Sequence, residues 1–205
     1  VKYKEFEITM FKPFAKDVFH EADVGNLIDS AMLISCNGIK VLNANDNTLT
    51  TDAAKWLNEK YGIIDLAMLN YNAAGPYPSC FENLTIKEKR EEHQKLLNRN
   101  FKHLKKVLAV LKPKCILPFA GSYTLGGKLS YKNEYLGTTD WEECAGWLRT
   151  NQKTKVVTLR EKDTLNIEFG IPNRPYKKIN KTEVRNYLNE ILKKKVYSYE
   201  LDEMP

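Results

Sequence analysis

The chain has 205 residues, 42% of them hydrophobic and 28% charged, enough to bury a sizeable core as one domain. No stretch approaches the eighteen or so apolar residues of a membrane span, which argues against a helical membrane protein, and the opening residues do not read as a secretory leader. The formal net charge of +6 is local, because residues 174–195 hold eight Lys and Arg against two Glu. A basic terminal helix of this kind reads as a solvated face, since it lacks the interleaved aromatics that single strands of nucleic acid stack on. Neither a nucleic-acid partner nor a membrane is expected. Cys36, Cys80, Cys115 and Cys144 are scattered, with no C-x-x-C pair. They read as reduced thiols, mostly core filler, in a cytoplasmic protein.

Residues 1–11 alternate, with Tyr3, Phe6, Ile8 and Met10 among polar neighbours, and predict one strand. A polar loop follows, carrying His20, Glu21 and Asp23. Residues 31–35 and 39–44 are β-prone runs flanking Asn37-Gly38, the pair favoured where both central residues of a two-residue turn need positive φ. The second run is mostly apolar and stops in Asn43, Asn45 and Asp46, so a buried strand delivers a carboxylate and two amides to a sheet edge. Thr51 or Asp52 caps a helix through Tyr61, with Gly62 as its stop, and residues 63–69 form a strand buried on both faces. That is a βαβ step.

The loop at 70–81 carries two Pro, a Gly, two Tyr and two Asn at a strand's carboxyl end. Fixed backbone with aromatic and hydrogen-bonding side chains suits a ligand wall, and a structural Ω-loop accounts for the same residues. Thr85-Ile86-Lys87-Glu88 is a capping box opening a long helix that ends at Pro113. Leu97, Phe101, Leu104, Leu108 and Leu111 make its apolar stripe, and His93 and His103 fall outside it as solvated residues. Residues 115–121 are the next buried strand, and their loop points toward the same rim. A helix at 140–149, strands at 155–159 and 164–169, and a terminal helix at 182–194 complete the chain.

The motifs exclude two chemistries: there is no G-x-S-x-G elbow, and no G-x-G-x-x-G or phosphate loop. Asp46 at a strand terminus and His20 in the preceding loop offer a carboxylate and an imidazole, fewer than the three protein ligands of a catalytic zinc. Asp46 as a simple cap of the following turn explains the same residue.

The order of hairpin, Asn45-Asp46, helix, the strand Ile64-Asp65-Leu66-Ala67-Met68-Leu69, the loop Gly75-Pro76-Tyr77-Pro78, a long Lys/Glu-rich helix and then Lys112-Pro113-Lys114-Cys115-Ile116-Leu117-Pro118-Phe119-Ala120-Gly121 resembles the second half of a metallo-β-lactamase-fold domain. More closely, it is similar to the corresponding region of CMP-N-acetylneuraminate hydroxylase-like proteins. The resemblance covers residues 19–170 and is most specific at 39–46, 70–81, 96–121 and 156–167.

It implies an α/β fold, part of an αββα sandwich with a mixed sheet flanked by helices, over residues 1–170, with a basic helix and tail over 171–205. It also implies that Asp46 is the metal-bridging and catalytic aspartate, that His20 is a metal ligand, and that Asn70, Tyr71, Asn72, Gly75, Tyr77 and Ser79 line the substrate side. Two departures stand out. The chain's three histidines do not form the H-x-H-x-D-H motif of the fold's first half, and Phe119-Ala120-Gly121 replaces the later ligand histidine. The Rieske-type cluster ligands of the hydroxylase are also missing.

A divalent metal, zinc or else iron or manganese, is therefore implied but is not expected to be retained by this chain alone. The expected function is that of a metal-dependent hydrolase-like protein acting on a nucleotide-sugar or carbohydrate-derived substrate. The alternative is a catalytically inert ligand-binding or assembly module. Half a sandwich leaves a sheet face uncovered, so a homo-oligomer or a partner chain carrying the missing half is expected.

Overall fold

The computed structural model describes residues 1–14, 30–72, 75–197 and 201. Two strands open the chain, β1 (Lys2–Tyr3) and β2 (Phe6–Phe11), where the alternation predicts one. The chain doubles back at Lys4, which takes φ of 53°, and Lys2 pairs with Glu7. Next, β3 (Ala31–Cys36) and β4 (Ile39–Asn43) form the expected hairpin, with φ of 49° at Asn37 and 81° at Gly38. Helix α1 (Thr51–Tyr61) is capped one residue earlier than predicted, by Thr50, whose hydroxyl accepts the Ala53 N–H at 3.1 Å. Strand β5 (Leu66–Leu69) leads through the loop to α2 (Ile86–Leu111), which opens on the Thr85–Glu88 capping box and closes at Lys112 in the left-handed region.

Strand β6 (Cys115–Pro118) is followed by a 3-10 segment (Gly127–Tyr135), α3 (Trp141–Asn151) and β7 (Lys155–Val156). All seven strands form one sheet in chain order. The first four pair antiparallel, and β4 to β7 pair parallel. Right-handed crossovers that always advance in one direction place α1, α2 and α3 on the same face. Their residues share one core with that face: Leu57, Phe101, Leu108 and Leu148 pack with Leu33, Leu42, Leu69 and Ile116.

The opposite face is built differently. Leu66, Cys115 and Val157 form a smaller cluster covered by Leu159, Leu165 and Ile167. Leu165 belongs to a two-stranded ladder, β8 (Leu165–Asn166) with β9 (Ile171–Pro172), which straddles the 170/171 point where the sequence divides the chain. Toward β2 the register lines up Ile8 with Ile34 and Val41, and Met10 with Met32 and Asn43; these side chains are half-buried except Met10, which is 57% exposed. The fold is thus α/β, a mixed sheet with one helical layer, as the sequence predicts. Helix α4 (Lys181–Tyr187) runs into a π turn (Leu188–Leu192), shorter than the predicted helix.

All four cysteines are free, Cys115 and Cys144 buried, Cys36 half-buried and Cys80 exposed. Among the described residues no helix is long and apolar enough to cross a membrane.

Candidate functional site at the carboxyl edge of the sheet

Because β4, β5 and β6 are parallel, their carboxyl ends open at one edge. After β4 the chain turns at once: Asn43 Oδ1 accepts the Asn45 N–H at 2.9 Å, and Asn45 adopts φ of 49°. This turn presents Asp46 to solvent. Its carboxylate has no hydrogen bond or ion pair among the described residues, while its backbone carbonyl accepts from Asn70 Nδ2 at 3.4 Å. Asn70 also reaches the Thr48 hydroxyl at 3.3 Å, so the β5 end is tied to the β4 loop. His20 lies outside the described residues.

The neighbouring Asn47 carries a role the sequence does not single out. It is 2% exposed, and its Oδ1 accepts the Phe14 N–H at 3.0 Å, fastening the chain beyond β2 beneath the rim. No sequence signal marks it: a buried Asn needs such bonds, but in sequence a turn Asn beside Asp46 is indistinguishable from an exposed one.

Most of the residues read as substrate-lining are spent on the rim itself. Tyr71 is buried beside Ser122, and burial pushes its phenol up to about 12, so it stays protonated at neutral pH. Asn72 clamps the chain before α3: its Nδ2 donates to the Thr139 carbonyl at 2.7 Å, and its Oδ1 accepts the Thr139 N–H at 3.2 Å. Against it lies Gly121, with φ of 103°; a Cβ there would come within 2.9 Å of the Asn72 Cβ, so only glycine fits. The Gly75 carbonyl accepts from the Tyr123 hydroxyl at 2.8 Å. Tyr77 donates to Glu92 at 2.7 Å and meets Phe81 edge-on at 5.0 Å, and its bond to Glu92 raises its pKa. The Ser79 hydroxyl is fully buried and donates to the Pro76 carbonyl at 3.3 Å.

The structure therefore brings Asp46, Asn70, Tyr71 and Asn72 to one edge through strand parallelism, with Gly75, Tyr77 and Ser79 in the adjoining wall. The two described histidines are elsewhere and are half-buried rather than solvated. His93 bonds the Leu136 carbonyl, and His103 Nε2 donates to the Leu49 carbonyl at 2.9 Å. Each joins α2 to a loop. Among the described residues no group of three or more His, Cys, Asp or Glu is placed to hold a metal ion.

No family model and no curated protein matches the chain. Among solved structures it is similar to CmlA, a diiron beta-hydroxylase from Streptomyces venezuelae, at 12% identity and a TM-score of 0.42. The match covers 76% of this chain and 31% of that one, so the chain spans under a third of that protein's length. Likeness of that degree assigns neither a family nor an activity.

Proposed function

We propose that the chain is the substrate-holding half of a metal-dependent hydrolase-like protein of the metallo-β-lactamase fold, acting in the cytoplasm on a nucleotide-sugar or carbohydrate-derived substrate. The observation that carries this reading is that the loops after β4, β5 and β6 open at one edge, where Asp46 is an exposed carboxylate without a partner among the described residues. The ordered motifs from Asn45-Asp46 to Gly121 support the family part of it, and they are the basis for the substrate class.

The described residues do not by themselves fit the implied zinc, iron or manganese ion. A catalytic zinc takes three protein ligands, and here one carboxylate is at hand. No metal-centred step follows from these residues; His20, the second expected ligand, lies outside the described residues, and a partner chain would supply any further ligands. What this chain contributes is a rigid rim: Asn72 bonds the chain before α3 and packs closely on Gly121 after β6, and the 75–79 wall is held by side-chain hydrogen bonds, from Ser79 to the Pro76 carbonyl and from Tyr123 to the Gly75 carbonyl.

Elemental analysis of the purified chain, beside Asp46→Ala, tests the reading. Substoichiometric metal on the parent chain and none on the variant is the expected result. Equal metal content in the two overturns the role of Asp46. A second reading, an inert ligand-binding or assembly module, is favoured by the way Asn72 and Ser79 are consumed by the loops they hold. Nucleotide-sugar binding that is unchanged by a chelator would select it.

A further inference from the structure

Beyond the loops of β4 to β6, the same edge carries a cleft that neither the motifs nor the comparisons assign. A chain of hydrogen bonds leads to it. Asn72 holds Thr139; two residues on, Trp141 Nε1 donates to the Tyr176 hydroxyl at 2.9 Å, and Tyr176 donates to Glu142 Oε1 at 2.7 Å. The same Glu142 oxygen accepts the Ile179 N–H at 2.7 Å, so residues 176–179 are strapped to the first turn of α3. Arg160, beyond the end of β7, meets this strap: its guanidinium donates to the Lys177 carbonyl at 3.4 Å.

Arg160, Glu161, Asp163, Arg174, Pro175 and Lys177 line a cleft of about 510 Å³, a volume suited to a small molecule. Asp163 does not oppose an anion there. Its side chain is 3% exposed and is paired with Arg174, and its Oδ2 accepts the Arg160 N–H at 2.7 Å. Those two bonds, the Arg160 N–H first, hold its carboxyl below the usual carboxylate range. Arg174 is fixed further by donating to the Glu161 carbonyl at 3.2 Å. The Asp163–Arg174 pair is therefore a neutral wall.

Two cations remain, Arg160 and Lys177, neither in an ion pair among the described residues, against the single carboxylate of Glu161. A guanidinium and an ammonium carried on neighbouring backbone that is already pinned offer charge-assisted donors for an oxyanion.

We propose that this cleft binds the anionic end of a small molecule, a phosphate or carboxylate group, through Arg160 and Lys177. That this group belongs to the ligand held around Asp46 rests on the reading given under Proposed function; the binding itself does not.

Isothermal titration of the full chain with pyrophosphate, and in parallel with malonate, tests it. Saturable binding of one equivalent of either probe is expected, and the better probe identifies the group as phosphate or carboxylate. Arg160→Gln and Lys177→Gln should each weaken binding about tenfold, whereas Lys87→Gln on the outer surface of α2 should leave it unchanged. All three side chains are exposed, so circular dichroism should report an unaltered fold. No saturable heat with either probe overturns the proposal, as does equal weakening by Lys87→Gln. Pyrophosphate binding by a chain whose metal content ignores Asp46 leaves the cleft standing while the hydrolase reading falls. Metal loss in Asp46→Ala without any probe binding does the reverse.

Discussion

Asp65 secures the sheet at the edge opposite the rim. It is 4% exposed; its Oδ2 accepts the Lys40 N–H at 2.8 Å, and its Oδ1 lies 2.6 Å from Lys114 Nζ. Burial alone would raise its pKa, but the Lys114 hydrogen bond and charge together with the Lys40 N–H outweigh that, and the carboxyl titrates below its ordinary value. A folded-state pKa below the unfolded one stabilises the native state above the unfolded value, near 4, and the contribution fades as pH falls through the folded value. Asp65→Asn should therefore cost about 1–3 kcal/mol at neutral pH, and the gap to the parent should narrow below about pH 4 in urea titrations run across the acid range. A gap of constant size would mean that the cost comes from packing, not from the charge. Residues such as this one mark the limit of what sequence reveals. Asn37-Gly38 is legible because its turn is complete within the dipeptide. Asn72 is not, because its partner Thr139 is 67 residues away and only the fold brings them together.

Among the elements, α2 is the most legible, since capping box, apolar stripe and terminating Pro113 all agree. Its buried residues are the predicted stripe plus Val107. The predicted strands at 155–159 and 164–169 shrink to two-residue ladders because an extended backbone counts as a strand only where a partner lies alongside. The 3-10 segment escapes prediction because a side chain holds it: Asn133 accepts the Leu125 N–H at 2.8 Å and donates to the Leu125 carbonyl at 2.9 Å. Phe101 joins α2 to α3, 4% exposed and 5.1 Å from the Trp147 ring. Phe101→Ala should lower the unfolding free energy by about 3–5 kcal/mol with an unchanged denaturant slope. A loss below about 1 kcal/mol would show that the two helices close the gap by sliding together.

At the scale of the whole molecule the decisive feature is asymmetry among the described residues: one face of the sheet is sealed by three helices, and on the other they form a smaller cluster near β5 to β7. Over β2 to β4 the even-numbered side chains of β2 and β3 stand together, Ile8 with Ile34 and Met10 with Met32, and Phe6 and Met10 are 37% and 57% exposed. Contiguous apolar surface on a sheet is costly to leave in water, and a second layer is the usual remedy. The expected outcome in sedimentation at micromolar concentration is therefore a dimer, closed face to face by a second copy of this chain. Met10→Glu places a charge at the centre of that contact and should shift the species to monomer without loss of helix content, because Met10 contributes nothing to the helical core. A folded parent chain that sediments as a monomer and binds no hydrophobic dye would show that the face needs no cover. A monomer that does bind dye would direct the search to a partner of another sequence that covers this face.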